Sequence, residues 1–209
     1  MNLIDSLIKQ GWLKTPRIIE AFRNIKRVDF LPDNIKNLDE LNEALPIGFD
    51  QTISQPLVVA FMLELLQPQI GDKILDVGSG SGWTTALLSE IVGEKGRVIA
   101  IETIPELKEF GEKNVCKYNF INKGIVEFIC GDGSKGYPNI SSYPELAEGF
   151  DKILCSAAIQ GEIPSAWKKQ IKEGGRIVIP IGSSICCLVK KGEDFNKKEF
   201  PGFAFVPLV

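Results

Sequence analysis

The sequence contains no histidine. That absence excludes Ser-His-Asp triads, Cys-His dyads, imidazole general bases and every His-containing metal site. No two of the five cysteines (Cys116, Cys130, Cys155, Cys186 and Cys187) form a C-x-x-C pair, which leaves zinc ribbons and thioredoxin-type motifs unsupported. Cys130 and Cys155 lie inside apolar runs and are expected to serve as small core side chains. Positive charge is not in excess either. Lys+Arg number 24 against 27 Asp+Glu, for a net charge of −3, and basic stretches are as short as Lys190-Lys191 and Lys197-Lys198. That is a poor footprint for nucleic acid. The longest apolar stretch, Leu57 to Leu66, contains Glu64 and is too short to cross a bilayer. Asp5 and Lys9 interrupt the N-terminal pattern where a signal peptide would be apolar. Together these absences predict a cytoplasmic protein with no metal centre, no nucleic-acid partner and no membrane segment.

What is present is ordinary globular material: 209 residues, 44% apolar and 24% charged. A chain of this length buries roughly 70% of its unfolded surface and needs no staples. The first 45 or so residues read as helical, with Thr15-Pro16 as a helix start and Ile18, Ile19, Phe22 and Ile25 at helical spacing. Asp33 to Glu43 is polar and runs into Leu45-Pro46-Ile47-Gly48, which reads as a turn. Leu57–Leu66 is apolar all round and is expected to lie buried on a sheet.

From Lys73 the signals alternate. Strands are expected at Lys73–Val77, Arg97–Ile101, Val126–Cys130, Phe150–Ser156 and Arg176–Ile181, and helices at Trp83–Val92, Pro105–Tyr118 and Ser165–Lys172. Short apolar strands separated by helices predict an α/β fold with a mostly parallel sheet and helices on both faces. After Gly182, Ile185–Val189 and Phe203–Val209 predict an antiparallel hairpin at the sheet edge.

The strongest local signal is Ile74-Leu75-Asp76-Val77-Gly78-Ser79-Gly80-Ser81-Gly82-Trp83, an apolar strand entering a glycine-rich turn before a helix. This is the geometry of a nucleotide-cofactor crevice. A dinucleotide G-x-G-x-x-G fingerprint starting at Gly78 requires glycine at position 83, where Trp83 stands. G-x-G-x-G preceded by Asp76 suits a ligand with a charged amino-acid moiety better than a pyrophosphate. Trp83 itself is expected to be a core residue of the first helical turn. Glu102, followed by Thr103, ends the next strand, where an acidic side chain can accept from both ribose hydroxyls. Gly131-Asp132-Gly133 follows the third strand, where an aspartate can meet an adenine edge.

The D-x-G-S-G-S-G loop, Glu102 and the G-D-G resemble the S-adenosylmethionine-dependent methyltransferases. Leu45-Pro46-Ile47-Gly48 followed by Gln51-Thr52-Ile53-Ser54-Gln55-Pro56 is similar to one family in particular, the protein-L-isoaspartate O-methyltransferases. Ser156-Ala157-Ala158, Glu162-Ile163-Pro164, Gly174 to Gly182 and Phe205-Val206-Pro207-Leu208 match in order. The resemblance implies a Rossmann-like methyltransferase fold in a single domain over 1–209. Residues 1–56 would form an N-terminal helical segment with the substrate and cofactor loop, and 57–209 the cofactor-binding core. It implies S-adenosyl-L-methionine as cofactor, with Thr52, Ile53, Ser54, Asp76, Gly78, Ser79, Gly80, Gly82, Glu102, Thr103, Asp132 and Gly133 as binding residues. Ser54 is also implied as the catalytic serine that hydrogen-bonds the reacting carboxylate, although Thr52-Ile53-Ser54 also suits a plain turn before Pro56.

The implied reaction is protein repair, methylation of L-isoaspartyl residues in damaged proteins or peptides by a monomer. A carboxylate is already ionised at neutral pH, so such a transfer needs alignment rather than a base, and a chain without histidine can perform it. Two departures fall on the peptide-facing side: Glu40-Leu41 stands where relatives often carry an aromatic-Asp pair, and Asp50 where a small residue is usual. The alternatives are a related enzyme acting on a specific aspartate of a modified peptide or on a small acid, and a non-catalytic nucleotide-binding module.

Overall fold

A computed structural model describes residues 2–138 and 144–208. Two short helices, α1 (Leu3–Lys9) and α2 (Pro16–Asn24), lead into 3-10 turns at Arg27–Phe30 and Asp33–Leu38. Thr15 precedes α2 as expected, but its hydroxyl donates to Glu64 Oε2 at 2.7 Å instead of capping its own helix. Glu64 Oε1 also accepts the Lys14 and Thr15 amides, so the one charge in the apolar helix α3 (Pro56–Leu66) anchors the N-terminal segment.

Between these helices the Leu45-Pro46-Ile47-Gly48 segment is not a simple turn. It forms β1 (Leu45–Gly48), paired antiparallel with β2 (Gln51–Ile53). Phe49 and Asp50 at the tip both have left-handed φ, 55° and 56°, the backbone that a tight two-residue hairpin demands.

The main sheet has the order β5-β4-β3-β6-β7-β8-β9. β3 (Lys73–Val77), β4 (Arg97–Glu102), β5 (Val126–Cys130), β6 (Phe150–Cys155) and β7 (Ile171–Ile181) run parallel, and β8 (Ser184–Lys191) and β9 (Asp194–Pro201) close it antiparallel. The helices α4 (Trp83–Val92), α5 (Pro105–Cys116) and α6 (Ser165–Gln170) connect the parallel strands. Strand alternation divides the core. Ile74, Val98, Leu154 and Val178 join the residues of α1 to α5 on one face, while Leu75, Ile99, Ile153 and Ile177 pack with Tyr137, Phe150 and Trp167 on the other.

Two expectations are corrected here. The terminal hairpin pairs β8 with β9, not with Phe203–Val209. Asp194–Pro201 is a charged edge strand, and lysines on an edge hide the apolar alternation that betrays a strand while discouraging edge-to-edge association. Residues 203–208 instead cross the carboxyl end of the sheet, where the Ala158 amide donates to the Val206 carbonyl and the Leu208 amide to the Ala158 carbonyl, each at 2.8 Å; Val209 lies outside the described residues. Cys155 is buried in the core as expected, whereas Cys130, at the end of edge strand β5, is exposed.

Candidate active site

β4 and β6 flank β3 on opposite sides, so the chain reverses its direction of sheet growth there and opens a crevice at the carboxyl ends of the strands. The crevice is an open cleft of about 740 Å³, solvent space at its mouth included. Thr52, Ile53, Ser54, Gly78, Ser79, Gly80, Glu102, Thr103 and Gly133 line it, all of them expected from the sequence. β2 therefore brings Ser54, the residue that follows it, to the same cleft as the glycine loop, although Ser54 precedes Gly78 by 24 positions.

Glu102 is 6% exposed and is committed to the loop as well as to the cleft. Its Oε2 accepts the Gly80 amide at 2.9 Å and its Oε1 the Ile104 amide at 3.1 Å. A carboxylate offers about four lone-pair directions, so two remain for a ligand. Ser79 Oγ and Trp83 Nε1 are buried without a protein partner, and both residues line the cleft. Asp76 Oδ1, beneath the same loop, is likewise buried without a partner. Buried polar groups are almost always paired, so Ser79 Oγ and Trp83 Nε1, on the cleft's own residues, are candidates for hydrogen bonds to a bound molecule. Trp83 is thus a core residue, as expected, and a wall of the cleft too.

Three predicted contacts lie outside the lining. Asp76 is fully buried beneath the glycine loop. Its neighbours Leu75 and Val77 share one face of the sheet, so alternation turns Asp76 to the other, where Oδ2 accepts from Thr85 Oγ1 of α4 at 2.7 Å. Gly82 serves helix packing: a Cβ there would lie 2.7 Å from the Gly111 carbonyl oxygen on α5. Asp132 sits between the lining residues Gly131 and Gly133, but its carboxylate accepts from the Ser134 hydroxyl and amide and pairs with Lys135. The Ser134 hydroxyl, more than any other group, holds Asp132 below the usual carboxylate range.

Asp76 is the most perturbed acid of the site. Burial raises its pKa from 3.8 to about 7, against the opposing bond from Thr85 and with help from the charge of Glu102. The folded state therefore holds the proton more tightly than the unfolded chain. Its contribution to stability is full below about pH 3.8, declines as pH rises towards 7, and is constant above that. Asp76→Asn, which keeps an acceptor for Thr85, is expected to gain on the wild type by roughly 2–4 kcal/mol between pH 4 and pH 8. Denaturant midpoints at several pH values check this, and a gap independent of pH would mean that Asp76 is ionised throughout.

Sequence reasoning missed Ile47, Ile104, Leu107 and, above all, Val206, Pro207 and Leu208, which line the cleft from the far end of the chain. A second cleft opens beside the first, lined by Ala44, Gln55, Val58, Ala204 and Phe205 together with Thr52, Ser54, Ser156 and Val206. Those last four residues belong to both clefts.

Comparison with known proteins agrees with this architecture. Residues 1–209 match the family model described as protein-L-isoaspartate(D-aspartate) O-methyltransferase. A protein-L-isoaspartate O-methyltransferase of Methanopyrus kandleri is 38% identical over 213 residues, covering 100% of this chain and 90% of the relative. Protein-L-isoaspartate O-methyltransferase 2 of Archaeoglobus fulgidus is 43% identical over 196 residues, covering 92% of this chain and 84% of the relative. A solved protein-L-isoaspartate O-methyltransferase superposes with a TM-score of 0.84 at 27% identity, over 98% of this chain and 64% of that one. A Plasmodium falciparum structure solved in complex with S-adenosyl-L-homocysteine shares the fold, with a TM-score of 0.86 at 22% identity over 100% and 99% of the two chains. The chain belongs to the protein-L-isoaspartate(D-aspartate) O-methyltransferase family.

Proposed function

We propose that this protein transfers a methyl group from S-adenosyl-L-methionine to the carboxylate of L-isoaspartyl residues in damaged proteins or peptides. One observation carries the reading: Ser54 lines both the cleft at the glycine loop and the second cleft beside it, so a donor in one and an acceptor in the other would meet beside this residue.

The lining fits the cofactor. Glu102 has acceptor capacity for ribose hydroxyls, Ile53, Ile104 and Leu107 supply apolar surface for an adenine, and Ser79 Oγ and Trp83 Nε1 supply unpaired polar atoms. When bound, S-adenosylmethionine supplies an electrophilic methyl group on a sulfonium. The chain's own work is to hold and desolvate an acceptor that is already anionic. Ser54 donates to one carboxylate oxygen, and Val206 to Leu208 with the β1–β2 hairpin keep water from the meeting point. We read residues 1–209 as one methyltransferase domain, because Leu7, Phe30 and Ile53 share a core with Ile74 and Val98. We read it also as a cytoplasmic monomer; among the described residues no helix is long and apolar enough to cross a membrane.

The test is a methyl-transfer assay on an isoaspartyl peptide and its normal aspartyl twin. A base-labile methyl ester on the isoaspartyl peptide alone is the expected result. Equal methylation of both, or of neither, overturns the substrate reading. Activity confined to a modified peptide or a small acid would point to Leu41, which is exposed, and to Asp50 at the hairpin tip.

Glu102→Ala is expected to weaken S-adenosylhomocysteine binding by roughly 1–3 kcal/mol, since it strips acceptors from the ligand and from the Gly80 amide together. Calorimetry giving equal affinities for the two proteins would remove Glu102 from the site.

A further inference from the structure

Arg27, in the 3-10 turn after α2, is a cation of which only 6% is exposed. Its Nη1 donates to the carbonyl oxygens of Leu41 at 2.8 Å and Asp39 at 3.3 Å. Its Nη2 donates to those of Glu43 at 2.7 Å and Ser54 at 3.3 Å. The guanidinium carbon lies 5.4 Å from the centre of the Trp83 ring, which Phe22 holds edge-on at 5.6 Å. Burial lowers the pKa of Arg27 to about 10, so it stays charged at neutral pH.

Burying a charge is costly unless its donors are met; here Nη1 and Nη2 meet four neutral carbonyls that arrive from two separate segments, while Nε is buried without a partner. One segment, residues 39–44, contributes Ala44 to the wall of the second cleft. That wall is tied down again at Asn42, whose carbonyl accepts from Gln55 Nε2 at 2.8 Å and whose Oδ1 accepts the Leu57 amide at 3.0 Å. The other segment is the backbone of Ser54, and Trp83 borders the first cleft. Arg27 touches the 39–44 wall, the Ser54 backbone and Trp83 at once.

We propose that Arg27 is a positioning residue for carboxyl methyl transfer, fixing Ser54 against the 39–44 wall and against Trp83. This deepens the methyltransferase reading and rests on it. Arg27 acts through the Ser54 main chain, so its loss leaves the hydroxyl chemically intact but displaced, and a misplacement of about 1 Å can cost about a hundredfold in rate.

Arg27→Lys tests it, because an ammonium keeps the charge but cannot span four carbonyls. Arg27→Gln is the second variant should the lysine protein fold poorly. The expected result is a peptide KM raised by about tenfold and a kcat lowered by about tenfold to a hundredfold, per molecule competent to bind S-adenosylhomocysteine. Amide hydrogen exchange should quicken across residues 39–54 and stay unchanged in β3, β4 and β6. A merely structural role would lower the competent fraction while leaving KM and kcat per competent molecule at wild-type values, and that result overturns the proposal. Unchanged exchange across 39–54 overturns it too, with no need of a peptide. If the wild type ignores isoaspartyl peptides while exchange responds as expected, the substrate reading fails and the positioning of Ser54 stands.

Discussion

Ser54→Ala is expected to lower turnover of an isoaspartyl peptide by roughly tenfold to a thousandfold, in the range of removing one preorganised hydrogen-bond donor. The affinity for S-adenosylhomocysteine should change little, because the polar groups proposed for that ligand, Glu102, Ser79 and Trp83, are untouched. The serine has no proton to remove from its substrate. Its expected task is to hold one oxygen of the carboxylate, so the loss should appear in kcat and kcat/KM together. The pH–rate profile supplies a second check. No histidine exists to titrate near pH 6.5. Asp76 titrates at about 7 behind the glycine loop, so an inflection near neutrality reports the loop's support, not a general base. Such an inflection should disappear in Asp76→Asn and persist in Ser54→Ala at its lower rate. Full activity of Ser54→Ala on an isoaspartyl peptide would sink the role assigned to it.

The parts of the fold that were legible in sequence are those whose physics is local. β3, β4 and β6 are covered on both faces, so each carries an apolar run: Ile74-Leu75, Val98-Ile99-Ala100-Ile101 and Ile153-Leu154-Cys155. The loop from Gly78 to Gly82 announces itself because several consecutive turns there need positive φ, 74° at Gly78 and 51° at Gly80. The Thr52-Ile53-Ser54 segment was placed through family resemblance, not through any pattern of its own.

What stayed hidden depends on tertiary context. The β1–β2 hairpin contains proline and glycine and turns through Phe49, a bulky residue in a backbone region that such residues rarely occupy. β9 lacks an apolar face because it is an edge. Arg27 could not be told from a solvated cation, since its acceptors are main-chain carbonyls that leave no trace in composition. Asp76 is different, because a usable signal was present. Strand alternation between Leu75 and Val77 already turns its carboxylate toward α4.

Gly82→Ala is expected to destabilise the protein by about 2–5 kcal/mol and to abolish tight cofactor binding with it. Gly82 caps α4 with a φ of 84°, which a side chain resists. A Cβ added there would also stand 2.7 Å from the Gly111 carbonyl oxygen and 2.9 Å from Val115 Cγ2. The obstacle is the backbone of α5, which cannot swing aside as a side chain could. α4 would have to withdraw, taking along Trp83 and Thr84 from the cleft and straining the bond from Asn114 Nδ2 to the Ser81 carbonyl. For a chain of this size the loss corresponds to a drop in Tm of roughly 5–15 °C. Gly124→Ala separates the two causes, since Gly124 has a φ of 70° but nothing within 4 Å of its Cβ position. It should show the backbone strain alone, about 1–2 kcal/mol, with cofactor affinity intact. Gly111→Ala approaches the same contact from the other helix, with its Cβ 2.7 Å from the Gly80 carbonyl oxygen, so combining it with Gly82→Ala should cost less than the two changes added. If Gly82→Ala proved no more harmful than Gly124→Ala, close helix packing would not be the reason for glycine at position 82, and the cofactor-binding role that the resemblance implies for it would be the remaining one.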